Sequence, residues 1–330
     1  MKVGIIGLPQ TGKKTLFQIL TGNEITDPAK AFKPVPGASD ILDSRFDTLV
    51  RMYDPKKNVR ARIDLVLLPK MEPETIAKGD IFKDIADMDA VCHVVRAFED
   101  DAVYHSEGSV DPKRDFEMVN SELIMHDQIF VEKRIERLEA MVKKIKDEDQ
   151  KKELDLMIRL KDHLEKERPL RLLALSEDDE KSIRSYPFIT RKKLVIAVNV
   201  SEDDLEDPGL KSWFADNCQA DEIEFMLVSA KVEAEIAMLD TAEEKQEFLE
   251  DLGIQKTALE NLTRLCLKSL NRISFFTVGK DEVRQWLVRN GAKAPEAAGV
   301  IHSDLERGFI RAEVFRYDEL MAAGDEAELK

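Results

Sequence analysis

The sequence predicts an α/β fold built on a mostly parallel sheet, and three observations carry that prediction. Lys2-Val3-Gly4-Ile5-Ile6 is a short apolar run. It leads through a glycine-bounded loop into Thr15-Leu16-Phe17-Gln18-Ile19-Leu20, whose apolar spacing is helical. Strand, glycine loop and helix in that order open an α/β fold. Second, Val91 to Ala97, Leu194 to Val198 and Phe225 to Val228 are largely continuous apolar runs. Central strands of a parallel sheet, covered on both faces, require that pattern. Third, 330 residues at 43% hydrophobic supply a core for about two domains, or three. Ile63 to Leu68 is a further strand candidate.

The middle of the chain has a different periodicity. From Lys113 to Arg168 there is no glycine and no proline. Phe116, Val119, Leu123, Val131, Ile135, Leu138, Val142 and Ile145 recur mostly every three or four residues, the spacing of a coiled-coil seam. Asp147-Glu148-Asp149 breaks the stripe, Leu154, Met157, Leu160 and Leu164 form a second one, and Pro169 ends it. Two amphipathic helices with a short polar break predict an antiparallel hairpin that projects from the α/β body. Its first arm of about 34 residues would reach roughly 50 Å. The α/β pattern resumes at Leu194, and a helix is expected from Gln255 to Leu270. Beyond Ile273, Phe275 to Gly279 and Glu282 to Val288 read as strands of a small α+β domain.

Charge and composition exclude several functions. The net charge of −16 opposes broad electrostatic capture of nucleic acid. Asn271 to Tyr317 is mildly basic, with eight Lys or Arg against six Asp or Glu, and is the candidate surface for any RNA contact. No apolar run approaches the roughly 20 residues that span a bilayer. The N-terminus lacks the layout of a signal peptide, so a cytosolic setting is expected. Cys92, Cys218 and Cys266 are far apart and read as buried free thiols. The five histidines show no zinc-ligand spacing, and no nucleophile-elbow motif occurs.

The chemistry concentrates in the first loop. Gly7-Leu8-Pro9-Gln10-Thr11-Gly12-Lys13 fits G-x-x-x-x-G-K, placed between a strand and a helix as a phosphate loop requires. Backbone amides from Gln10 to Thr15 would wrap phosphate oxygens at the helix N-terminus, and Lys13 would neutralise the β- and γ-phosphates. The position after Lys13, where a Ser or Thr hydroxyl ligates Mg²⁺, is Lys14. Thr15 comes one residue late, about 100° further around a helix. Lys14 either points to solvent, leaving Mg²⁺ weakly held, or lends its ammonium in place of the metal charge. Impaired Mg²⁺ binding is the reading adopted. After the later buried strands come Asn199-Val200-Ser201-Glu202 and Ser229-Ala230-Lys231. They occupy the places of the two base-contacting loops of a GTPase.

With these motifs the chain resembles the Obg-like, YchF-type ATPases. The resemblance extends through Gly7-Leu8-Pro9, Asp89 to Asp100, Asp111-Pro112, Asn120 to Leu123 and the Asn-x-x-Glu form at Asn199 to Glu202. It is most specific at Ala298 to Asp304 and Gly308 to Val314. It implies a P-loop G domain over 1–112 and 190–272, an inserted helical hairpin over 113–189, and a TGS-like domain over 273–330 that stops short of its last strands. It also implies a cytosolic, ribosome-associated protein that prefers ATP to GTP, with Asn199, Val200, Glu202, Ser229 and Ala230 around the base.

The departures from the family bear on hydrolysis. The family carries Asp-x-Ala-Gly in switch II; here Asp64 is the candidate Mg²⁺ ligand, through water, and Leu67 stands where the glycine aligns. Leu68 is the candidate for the apolar residue that replaces a water-positioning Gln. Between Gly22 and Pro36 the only hydroxyl is Thr26. No general base is identifiable. Two functions are therefore expected: a weak Mg²⁺-dependent hydrolase of ATP or GTP, or a non-hydrolysing adaptor acting on ribosome or RNA.

Overall fold

The computed structural model describes residues 1–25, 33–143, 147–220, 222–254, 256–326 and 328–329. Thr26, Ile145 and Gln255, each used above, lie outside them. The strands are β1 (Lys2–Ile6), β2 (Val35–Asp40), β3 (Lys57–Val59), β4 (Arg62–Leu67), β5 (Ala90–Arg96), β6 (Lys193–Asn199), β7 (Glu224–Val228), β8 (Arg272–Thr277) and β9 (Glu282–Arg289). The helices of the first half are α1 (Lys13–Thr21), α2 (Ser44–Tyr53), α3 (Pro73–Lys78), α4 (Asp80–Ala86), α5 (Pro112–Val142) and α6 (Glu148–Leu164). Those of the second half are α7 (Glu177–Ile183), α8 (Pro208–Ala220), α9 (Ala230–Met238), α10 (Ala242–Asp251), α11 (Ala258–Ser269), α12 (Ala294–Ile301), α13 (Ser303–Arg307) and α14 (Tyr317–Ala323). None among the described residues is long and apolar enough to cross a membrane.

The chain forms two compact units, Met1–Ser39 with Ile63–Leu270, and Asp40–Arg62 with Asn271–Lys330. The first holds a six-stranded sheet in the order β2-β4-β1-β5-β6-β7. The pairs β1–β4, β1–β5, β5–β6 and β6–β7 are all parallel. Every residue of β5 is buried, which explains its largely apolar run, with His93 and Arg96 the buried exceptions. β4 and β5 flank β1 on opposite sides, so the order reverses at β1. A ligand crevice is expected there, beyond the carboxyl ends of the strands.

α5 serves two cores. Phe116, Val119 and Leu123, near its start, pack with Val91, Val95 and Phe214 against the sheet. Further on, Val131 and Leu138 join Leu156, Met157, Leu160 and Leu164 of α6 in a separate cluster. The seam read from sequence is thus continuous along the helix but is met by different partners. The first turns of α5 pack with the α/β core, where sequence reading began the inserted domain at 113. Asp111 caps α5 by accepting from the amides of Lys113 and Arg114 at 3.1 Å each, and Pro112 needs no donor partner there. The polar break at Asp147 is the cap of α6, its carboxylate accepting from the amide of Asp149 at 3.0 Å. Asp127, fully buried, accepts from the Ile189 and Thr190 amides at 3.0 and 2.8 Å and from the Thr190 hydroxyl at 2.6 Å. That carboxylate fixes where the chain re-enters the sheet before β6.

The second unit differs from the sequence expectation in its membership. Residues 40–62 had been read with the nucleotide-binding domain, yet they pack with 271–330. Its sheet runs β3-β9-β8, with β8 antiparallel and β3 parallel to β9. Phe46 and Leu49 of α2 share a core with Val283 of β9 and Leu320 of α14. α2 shows few buried positions in sequence, which hid its role. The stretch Gly308 to Val314 has no regular secondary structure and is mostly exposed, with Ile310 91% accessible.

Candidate functional site: the phosphate loop and its flanks

The phosphate loop is held by contacts that only glycine permits at two places. A Cβ on Gly7 would lie 2.5 Å from the Val94 carbonyl of β5. Gly12 has φ +85° and caps α1, and a Cβ there would lie 2.2 Å from Asn199 Nδ2. The turn between them is tight enough that Gln10 adopts φ +59°. Thr11 is buried and its hydroxyl donates to the Leu8 carbonyl at 3.2 Å. The first intrahelical bond of α1 runs from the Leu16 amide to the Gly12 carbonyl at 2.9 Å, so the amides of Gly12 to Thr15 have no partner within the helix. They face the space a phosphate group would fill.

Lys13 is buried at the mouth of this loop, its ammonium donating to the Leu8 carbonyl at 2.8 Å. Burial pushes its pKa down to about 7; the Lys70 charge adds to the fall and Glu72 opposes it. A cation held there without an anion is therefore unstable, and a phosphate would restore it. His93, beneath the loop on β5, is held neutral, its pKa pushed down to about 3 by burial and then by the Lys13 charge. Neither Lys70, Glu72 nor His93 was identified from sequence. Their positions depend on strand register, which carries no local signal.

On the base side, Asn199 acts as a bridge. Its Nδ2 donates to the Thr11 carbonyl at 3.0 Å, and its Oδ1 accepts from the Ala230 amide at 3.0 Å. One N–H and one lone pair of the amide are engaged, so Asn199 ties the two loops together and keeps its second N–H and second lone pair for a ligand. Val200 has its side chain buried in the sheet core, so its backbone is the part left to meet a ligand. Ser229 caps α9 through the Val232 amide at 3.4 Å. Ala230 is buried at the bridge and Glu202 is exposed on the loop after β6.

The metal side requires a correction. Asp64 pairs with Lys2, at the start of β1, while the phosphate loop begins at Gly7. Five residues of strand separate them, about 16 Å. Asp64 instead lies 3.8 Å from the N-terminal ammonium. It stands at the wrong end of β4 to ligate a metal on the phosphates. The residues that do flank the loop are Leu67 to Met71. Leu67 pairs with Ile5, the Leu68 amide donates to Ile5 at 3.0 Å, and the Met71 amide donates to Gly7 at 3.2 Å. Setting Asp-x-x-Gly spacing on this register puts Leu67 in place of the carboxylate and Lys70 in place of the glycine. Met71, buried, then takes the place of the water-positioning residue, for which Leu68 had been read. Lys14 and Thr15 are exposed. Mg²⁺ demands near-octahedral oxygen ligands. Among the described residues, an ammonium and a leucine side chain occupy the positions of two of those donors, and the fit is poor.

A cavity of about 330 Å³ adjoins the loop, lined by Leu8, Pro9, Met71, Glu72, Met118 and Glu122. The three cysteines are buried and free.

Comparison with known proteins agrees with the architecture. Residues 272–330 match the family YchF-GTPase_C, described as a protein of unknown function (DUF933). The chain is 40% identical over 340 residues to the ribosome-binding ATPase YchF of Bacillus subtilis (strain 168), covering all of this chain and 92% of that protein. It is 35% identical over 344 residues to Obg-like ATPase 1 of Caenorhabditis elegans, covering all of this chain and 86% of that one. The solved structure of the Schizosaccharomyces pombe YchF GTPase superposes with a TM-score of 0.82 at 31% identity, over all of this chain and 91% of that one. The parallel sheet, the glycine loop before α1 and the full-length identity make this chain a member of the YchF/Obg-like ATPase family.

Proposed function

We propose that this chain binds a purine nucleoside triphosphate on its phosphate loop, ATP in preference to GTP, with Mg²⁺-dependent hydrolysis impaired, and that it works at the ribosome in the cytoplasm. One observation carries the binding half: Lys13, buried among the unpartnered amides of α1, with Asn199 tying the loop to Ala230. This arrangement gathers positive charge and amide donors at one place, and the Lys13 ammonium would exchange or share its bond to the Leu8 carbonyl for one to phosphate. The Asn-x-x-Glu loop supports ATP, because Glu202 stands in place of the aspartate that accepts from guanine. Ribosome association rests on the name of the B. subtilis relative, a ribosome-binding ATPase.

The chemistry available is positioning and charge neutralisation. Lys13 would take the β- and γ-phosphate charge, and the amides from Gln10 to Thr15 would hold the oxygens. Bound Mg²⁺ would supply further neutralisation of the leaving group, and the residues at its place favour it little. A non-hydrolysing adaptor is the second reading, favoured by Leu67 and Lys14 at the donor positions. Steady-state phosphate release from purified protein, with Mg²⁺ and with chelator, decides between them. Wild type is expected to turn over slowly, and Lys14→Ser combined with Leu67→Asp to raise the Mg²⁺-dependent rate at least about tenfold, the scale of one recovered charged contact. Fast Mg²⁺-dependent turnover by wild type would contradict impairment. No turnover by either protein, with ATP still bound, would select the adaptor.

A further inference from the structure

The register of β4 places a lysine beside the phosphate loop. Lys70 occupies the glycine position of the Asp-x-x-Gly spacing, three residues beyond Leu67. Its backbone is tied down on both sides: its carbonyl accepts from the Thr75 hydroxyl at 2.5 Å, and the next amide, that of Met71, donates to Gly7 at 3.2 Å. The side chain is exposed and enters no salt bridge among the described residues. Of all charged neighbours, Lys70 acts most strongly on Lys13, ahead of the opposing Glu72. Two like charges close enough to lower the pKa of one of them are costly when no anion is present. They become favourable when an anion sits between them. Lys14 and Lys70 together carry two positive charges, the charge of one Mg²⁺ ion.

We propose that Lys70 takes the place of the divalent cation, contacting the γ-phosphate so that the triphosphate binds without Mg²⁺. The proposal rests on the nucleotide-binding reading above. It assigns the specificity of the site to the terminal phosphate: Lys70 adjoins Met71, whose amide holds the first residue of the loop, Gly7, and it replaces the glycine whose amide would meet the γ-phosphate. Glu72, on the same segment, limits the gain and keeps the empty site from carrying its full positive charge.

Calorimetric titration of wild type, Lys70→Ala and Lys70→Arg with ATP and with ADP, each in Mg²⁺ and in EDTA, tests it. Wild type is expected to bind ATP about equally in both conditions. Lys70→Ala should weaken ATP binding in EDTA by roughly tenfold to a hundredfold, the range of a hydrogen bond to a charged group. It should change ADP binding little, and Lys70→Arg should recover most of the ATP loss. Because Lys70 is exposed, the fold is expected to persist, with far-ultraviolet circular dichroism as the check. ATP binding by wild type that needs Mg²⁺ would overturn the proposal and leave the nucleotide-binding reading standing. Equal ATP affinity of wild type and Lys70→Ala in EDTA would do the same. Failure of wild type to bind either nucleotide would remove both.

Discussion

Lys13 shows how a single buried cation signals an anion. Its pKa of about 7 in the ligand-free protein lies well below the ordinary 10.5, chiefly because burial disfavours the charge. Bound phosphate would raise it again. Between pH 7 and 10.5 the empty protein therefore holds Lys13 mainly neutral, and the complex holds it charged. Binding should take up close to one proton at pH 8.5 and far less at pH 6, and apparent affinity should fall as pH rises above 7. Titrations in two buffers of different ionisation enthalpy read this directly; equal heats at pH 8.5 would mean that Lys13 does not change protonation. The motif around Lys13 was legible because its spacing is local and its glycines are required by geometry. Asn199 is marked in sequence by its place after a buried strand, but its bridging contacts are not. Its bridge to Thr11 and Ala230 joins positions 188 and 31 residues away, and no local pattern encodes such a pairing.

At the scale of elements, the strands and the long helices followed from periodicity. Buried parallel strands are largely apolar, and α5 carries a stripe along its length. Register did not follow. A strand reads the same wherever it slides along its neighbour, so Asp64 seemed available to a metal until pairing with Lys2 placed it at the far end. The same slide moved the apolar water-site residue from Leu68 to Met71. The return segment after the inserted hairpin is tied to α5 by a buried carboxylate, Asp127, that no periodicity would single out. Replacing it with Ala leaves the amides of Ile189 and Thr190 buried without acceptors. At about 1–3 kcal/mol for each such group, Asp127→Ala should lose about 3 kcal/mol or more. A denaturant midpoint lowered at unchanged slope would show it. A loss below about 0.5 kcal/mol, the level of an ordinary surface substitution, would mean that the return segment finds other partners.

For the molecule as a whole, two separately packed units account for where sequence reading succeeded. The nucleotide-binding unit is dominated by long apolar runs and one sharp motif, and both survive in any single sequence. The second unit draws residues 40–62 from far upstream. Its core of Phe46, Leu49, Val283 and Leu320 is scattered over most of the chain and gave no signal of its own. Net charge of −16 sits poorly with a polyphosphate ligand unless positive charge is concentrated at the site. Lys13, Lys14 and Lys70 provide that concentration.

The most direct test of the central claim is a calorimetric titration of ATP into the full chain beside its Lys13→Ala variant, at pH 7. The account predicts saturable, one-site binding by wild type and a loss of about a hundredfold or more in the variant, consistent with removing a buried charged contact to phosphate. Equal binding by the two proteins would place the nucleotide elsewhere, and absence of binding by wild type would mean that the phosphate loop no longer holds one.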